Sequence, residues 1–108
     1  MPFIDTKDLA VWERLPGWRG RIFHSENMTF AYWEFDAGVS IHEYQHPSEE
    51  VWNVITGQIE VTIDREVHRA GPGTVAIRPV NFRHGVHALC EGLAPVVDHP
   101  VRSNAPVG

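Results

Sequence analysis

The twenty residues from Gly38 to Gly57 read GVSIHEYQHPSEEVWNVITG, and the conformation they adopt decides what this chain can be. His42, Glu43 and His46 match H-E-x-x-H, the pattern in which one helical turn sets two imidazoles on one face to bind zinc, with the glutamate as general base. Pro47 disfavours a helical conformation at His46, and Gly38-Val39-Ser40-Ile41 upstream offers neither a cap nor a helix former. The stretch therefore reads as a strand ending in a turn. On a flat strand Glu43 points away from the two histidines, which lie roughly 13 Å apart at ~3.3 Å per residue, too far to share one ion. A zinc metalloprotease built on HEYQH is accordingly the weakest of three functional readings. His42, Tyr44 and His46 alternate with Ile41, Glu43 and Gln45, which aims the three polar rings at one side, towards an interior or a cavity.

The surrounding sequence supports the strand. Glycine and proline recur at Pro16-Gly17, Gly38, Pro47, Gly57, Gly71-Pro72-Gly73, Pro79, Pro95 and Pro100, leaving room for short strands rather than long helices. Between Gly57 and Asp64, Ile59, Val61 and Ile63 alternate with Glu60 and Thr62, the pattern of a half-buried antiparallel strand. Ala31, Trp33 and Phe35 alternate likewise with Tyr32, Glu34 and Asp36, and Val75/Ile77 and Val86/Ala88 continue the pattern. Many short strands between turns predict an all-β sandwich or barrel. One helical hint runs from Thr6 to Leu15, with Thr6 as a cap and Leu9 and Trp12 on one side.

Composition narrows the function classes. A chain of 108 residues holds one domain, since half that length makes no core of its own. The net charge is −5, and eight arginines and Lys7 are scattered along the chain, so a nucleic-acid groove is disfavoured. No apolar run reaches the ~18–20 residues that span a bilayer, and the N-terminus lacks the order of a signal peptide, so a cytoplasmic protein is expected. Cys90 is the single cysteine, which leaves no intrachain disulfide or cysteine-rich zinc site, and it reads as a small buried hydrophobe. Seven histidines are unusually many for this length.

Two segments carry a family pattern. Gly38, His46, Glu50 and Gly57 fall at the spacings of a first motif, G, five residues, H-x-H, three or four residues, E, six residues, G, with Tyr44 where its first histidine stands. Gly73, Pro79 and His84 fit a second motif, G, five residues, P-x-G, two residues, H, three residues, N, with Asn81 for the second glycine and Ala88 for the asparagine. In these motifs, which span about residues 30–100, the chain resembles the cupin superfamily, small bacterial members in particular. The resemblance implies an all-β single-domain cupin β-barrel of jelly-roll type, a double-stranded β-helix, over 1–108, with 1–16 as an N-terminal extension and 103–108 as a frayed tail. It implies His46, Glu50 and His84 as metal ligands, with Tyr44 in the fourth place. Two imidazoles, a carboxylate and a phenol make a mixed N/O set suited to one divalent Fe, Mn, Ni, Co, Cu or Zn.

Tyr44 is the departure. A phenol with pKa about 10 is a poor ligand unless a cation lowers it. Three arrangements are compatible: Tyr44 ligates, Tyr44 moves a proton beside a three-ligand metal as a catalytic residue, or a bulge brings in His42. Structural roles stand beside the functional ones. Glu49 reads as a solvated neighbour of Glu50, His87 lies on the face opposite His84, and His24, His68 and His99 read as surface residues. Trp33 and Trp52 read as core, Trp52 sharing a face with Glu50. Arg78 and Arg83 read as surface charges, with a carboxylate substrate as their alternative partner. The leading expectation is a metal-dependent cupin acting on a small polar metabolite, by isomerase, lyase or dioxygenase chemistry. A non-catalytic binding or sensing module is the second reading. A homodimer is expected, because so small a barrel has sheet edges to cover.

Overall fold

A computed structural model describes residues 3–43 and 47–102 of the protein, Glu43 through its backbone alone. The strands are β1 (Trp12–Leu15), β2 (Trp18–His24), β3 (Thr29–Phe35), β4 (Ser40–Glu43), β5 (Glu49–Asn53), β6 (Ile59–Ile63), β7 (Glu66–Ala70), β8 (Val75–Arg78), β9 (His84–Ala88) and β10 (Gly92–His99). They form a six-stranded antiparallel sheet in the order β1-β2-β3-β10-β5-β8 and a four-stranded one in the order β4-β9-β6-β7. The two sheets enclose the core, as the turn spacing predicts of a sandwich or barrel, and form the jelly roll that the family resemblance implies. No helix among the described residues is long and apolar enough to cross a membrane.

Alternation sets the inner faces. Ala31, Trp33 and Phe35 of β3, Ile59 and Val61 of β6, and Val86 and Ala88 of β9 are all buried, as their spacing predicts. Trp18 stacks on Phe35 with ring centroids 5.1 Å apart and meets Trp52 edge-on at 6.3 Å, so aromatic rings fill the middle of the barrel. Gly57, after the first motif, has φ +89, and a Cβ there would lie 2.7 Å from the Glu91 carbonyl oxygen, so only glycine allows that approach. Asn81 stands where the family pattern has a second glycine and adopts φ 65. Asparagine is among the few side-chain-bearing residues that tolerate this left-handed conformation, which explains the exchange.

Four local expectations are overturned. The helical hint over 6–15 resolves into one 3-10 turn, Thr6–Asp8, capped by the Asp5 side chain rather than Thr6, followed by β1, which pairs with β2 at the sheet edge. In β8 the apolar Val75 and Ile77 face solvent, while Ala76 and Arg78 face inward, because their partners Trp52 and Glu50 lie on the inner face. In β4 the buried residue is Ile41, and His42 is exposed on the outer face. Cys90 is exposed, since β9 ends at Ala88 and the alternation stops with it. The expected tail at 103–108 lies outside the described residues.

Candidate functional site

Register on the inner face of the larger sheet creates a polar row. His24 pairs with Thr29, Thr29 with Asp98, Asp98 with Glu50, and Glu50 with Arg78, so one residue from each of five adjacent strands lies in line. The next row inward is Ile22, Ala31, Val96, Trp52 and Ala76, entirely apolar. The strands therefore carry one layer of hydrogen-bonding groups at one end of the barrel, above a hydrophobic floor.

Glu50 is the centre of that layer. Its Oε1 lies 2.8 Å from His84 Nε2, which reaches across from the smaller sheet, and both side chains are almost fully buried, 3% and 1% exposed. The indole Nε1 of Trp52, two residues along the same strand face, donates to the same oxygen. Arg102 Nη1 stands 3.7 Å from Oε2. Burial pushes the Glu50 carboxyl upward, but His84, the hydrogen bond from Asp98 and the Trp52 indole outweigh it and hold the group well below the ordinary carboxylate range.

Of the residues expected from the sequence, Glu50 and His84 are thus brought together from different sheets. Tyr44 and His46 lie outside the described residues. His42 points away from the barrel, its ring over Gly85 on the outer surface. His87 also faces outward and hydrogen-bonds through Nδ1 with Ser40 Oγ at 2.6 Å. His24, expected at the surface, is half-buried, and its Nδ1 lies 2.7 Å from Thr29 Oγ1. Glu49, His68 and His99 are exposed.

Arg78 is neither a surface charge nor open to a substrate. It is 1% exposed, and its guanidinium donates to the carbonyl oxygens of Ser48 at 2.5 Å, Pro79 at 3.0 Å and Phe82 at 3.2 Å. One side chain thereby ties the loop entering β5, with Glu50, to the loop entering β9, with His84. Asp98 and Arg102 were missed by motif matching. Asp98 left a signal nonetheless: it is the one charged residue on the Ala94, Val96, Asp98 face of β10, where every other position is apolar. Arg102 lies beyond the last strand, anchored by its backbone N–H to Thr29 Oγ1 at 2.9 Å, and no periodicity marks it.

A cavity of about 140 Å³ opens beside this layer, with Trp12, Arg14, Trp33, Trp52, Asp98 and Arg102 in its wall. One imidazole nitrogen facing carboxylate oxygens is donor chemistry that fits a divalent transition metal. Among the described residues no three histidine, cysteine, aspartate or glutamate side chains are grouped to hold an ion.

Comparison with known proteins agrees with this architecture. The structure superposes on an RmlC-like cupin from Shewanella frigidimarina with TM-score 0.88 at 17% identity, covering 96% of this chain and 95% of the other. It superposes on KdgF from Halomonas with TM-score 0.87 at 22% identity, covering 96% and 97%. An uncharacterised protein of Streptomyces coelicolor is 26% identical over 77 residues, 71% of this chain and 73% of its own. At such identities the structural likenesses establish the fold. A family model described as a cupin domain matches residues 31–97, well over half the chain, and on that match the chain belongs to the cupin family.

Proposed function

We propose that the polar layer at the barrel mouth is a metal-dependent site for a small polar metabolite, with Glu50 and His84 as ligands and His46 completing the set. The observation that carries this reading is the Glu50–His84 contact, an imidazole and a depressed, buried carboxylate converging from two sheets on one point beside a cavity. A divalent ion held there supplies Lewis acidity towards a carbonyl or enediol oxygen, or a coordination position for dioxygen. The chain's own groups do the rest. Trp52 fixes the Glu50 carboxylate in orientation, and the indoles of Trp33 and Trp52 keep water from the floor of the site. Tyr44 is the proposed proton-transfer residue or fourth ligand. Isomerase, lyase and dioxygenase chemistry all suit such a constellation.

Metal analysis of protein purified without a histidine tag tests the reading. About one transition-metal ion per chain is expected, lost in His84→Ala and His46→Ala; metal-free protein whose stability ignores both substitutions overturns it. The second reading, a non-catalytic binding module, is favoured by one observation: Glu50 is already engaged by His84, Trp52 and Arg102 within the chain. A substrate screen separates the two, and unaltered turnover in Tyr44→Phe on any hit excludes proton transfer by Tyr44. The chain is further proposed to be a cytoplasmic homodimer.

A further inference from the structure

The outer faces of the two sheets differ in kind. On the smaller sheet Ser40, His87, Glu60 and Arg69 lie in one row across β4, β9, β6 and β7, all polar, as suits an antiparallel sheet whose back meets water. On the larger sheet the register sets Phe23, Phe30, Val97, Val51 and Ile77 in one row across β2, β3, β10, β5 and β8, all apolar. Tyr32, Pro95 and Val75 widen this row on the same face, and Val80 and Phe82 extend it past β8. The inner-face neighbours Ile22, Ala31, Val96 and Trp52 are buried in the core, so the larger sheet is hydrophobic on both sides. The outward Val75 and Ile77 of β8 complete the outer apolar face, and with Val80 and Phe82 they are between 40% and 55% exposed.

We infer that a second copy of this chain packs on this face, sheet against sheet, about a two-fold axis that runs along the strands above β10. The inference rests on the proposed homodimer, to which it gives a surface, and stands apart from the metal site. Three features select a copy of the chain as the occupant. The charges beside the row are balanced within the chain, Arg19 by Asp36 at 3.1 Å and Arg21 by Glu34 at 3.4 Å, so the face singles out neither an acidic nor a basic partner. Its relief is self-complementary, since Phe23 and Phe30, stacked with ring centroids 4.9 Å apart, stand at one end of the row and the shorter Val51 and Ile77 at the other. An axis above β10 reverses the strand order, lays the aromatic end of each copy on the aliphatic end of the other, and brings Val97 onto its own copy. The size also suffices. Five strands ~4.8 Å apart, with β2 and β3 seven residues long at ~3.3 Å each, make a face of roughly 24 by 23 Å. That is about 550 Å² a side before side-chain relief, which clears the ~1,000 Å² total of a specific interface.

Light scattering and cysteine cross-linking of the full chain test this surface. The wild-type chain should have the mass of two copies, and Val97→Lys should halve it while the far-ultraviolet circular dichroism stays that of the folded chain. Thr62→Lys, on the outer face of the smaller sheet, should keep the mass of two copies. Val97→Cys, which nearly keeps the size of the side chain, decides the matter even where a lysine at that position disturbs folding. With the exposed Cys90 replaced by Cys90→Ser, a short bismaleimide that reaches across sheets ~10 Å apart should link Val97→Cys to its own copy and leave Thr62→Cys unlinked. A folded Val97→Lys that keeps the mass of two copies, or a dimeric Val97→Cys that the reagent does not link, overturns the inference and leaves the homodimer standing. A wild-type chain with the mass of one copy overturns both.

Discussion

Arg78 and Asn81 are the residues on which the geometry of the site depends without touching a ligand. Arg78 satisfies three carbonyl oxygens with one guanidinium, so Arg78→Met leaves the buried Ser48 acceptor unpaired, at about 1–3 kcal/mol before relaxation, and frees the carbonyl oxygens of the exposed Pro79 and Phe82. A net loss of about 3 kcal/mol in urea unfolding is expected, and Arg78→Lys should recover only part of it, because one ammonium cannot span three carbonyl groups. Unfolding free energies within about 0.5 kcal/mol of wild type for Arg78→Met would show that the loops hold without it. Asn81 makes the opposite case. Its left-handed backbone costs little for asparagine or glycine, so Asn81→Gly should stay near wild type while Asn81→Val loses about 1–2 kcal/mol.

At the scale of the strand, a single-residue difference in facing decides which side chains reach the interior. Three polar rings alternating from His42 predict a strand face aimed inward, yet Ile41 is the buried residue and His42 the exposed one. The pattern is ambiguous because Ile41 is apolar and His42 polar but chemically useful, so alternation by itself fits either facing. Pairing resolves it: Ile41 lies opposite Val86, a core residue of β9, and burying one requires burying the other. Ile41→Ala should therefore cost about 2–5 kcal/mol, whereas His42→Ala should stay within about 0.5 kcal/mol and retain full metal content. Loss of metal in His42→Ala would show that the strand turns over in the loaded protein. The same logic explains β8, where Val75 and Ile77 read as an inner face until their neighbours on β5 prove to be Asn53 and Val51.

At the scale of the molecule, the reversed β8 has a consequence for assembly. It is an edge strand of the larger sheet, paired on one side only, and it exposes Val75 and Ile77, with Val80 and Phe82 exposed in the loop that follows. A short apolar edge without outward charges is a surface that proteins ordinarily cover. Multi-angle light scattering should give the mass of a dimer, and Ile77→Lys should shift it towards the monomer without lowering the melting temperature. A monomer at high micromolar concentration would refute the dimer.

The sequence by itself determined the all-β class: periodicity of two between frequent turns puts Ala31, Trp33, Ile59, Val61 and Val86 on the inner faces of short strands, and the family motifs pointed from sandwich or barrel to the jelly roll. The family resemblance also singled out Glu50 and His84, since motif spacing is a local property that survives without coordinates. What only the tertiary structure decided is everything set by register between distant strands. Asp98 lies beside Glu50, Arg78 beneath both loops and Arg102 at the cavity because β10, β8 and the segment after β10 pack where they do. A polar residue on a strand is unremarkable until its cross-strand partners are known, and those partners are chosen by the packing of the whole core rather than by any neighbour in the chain.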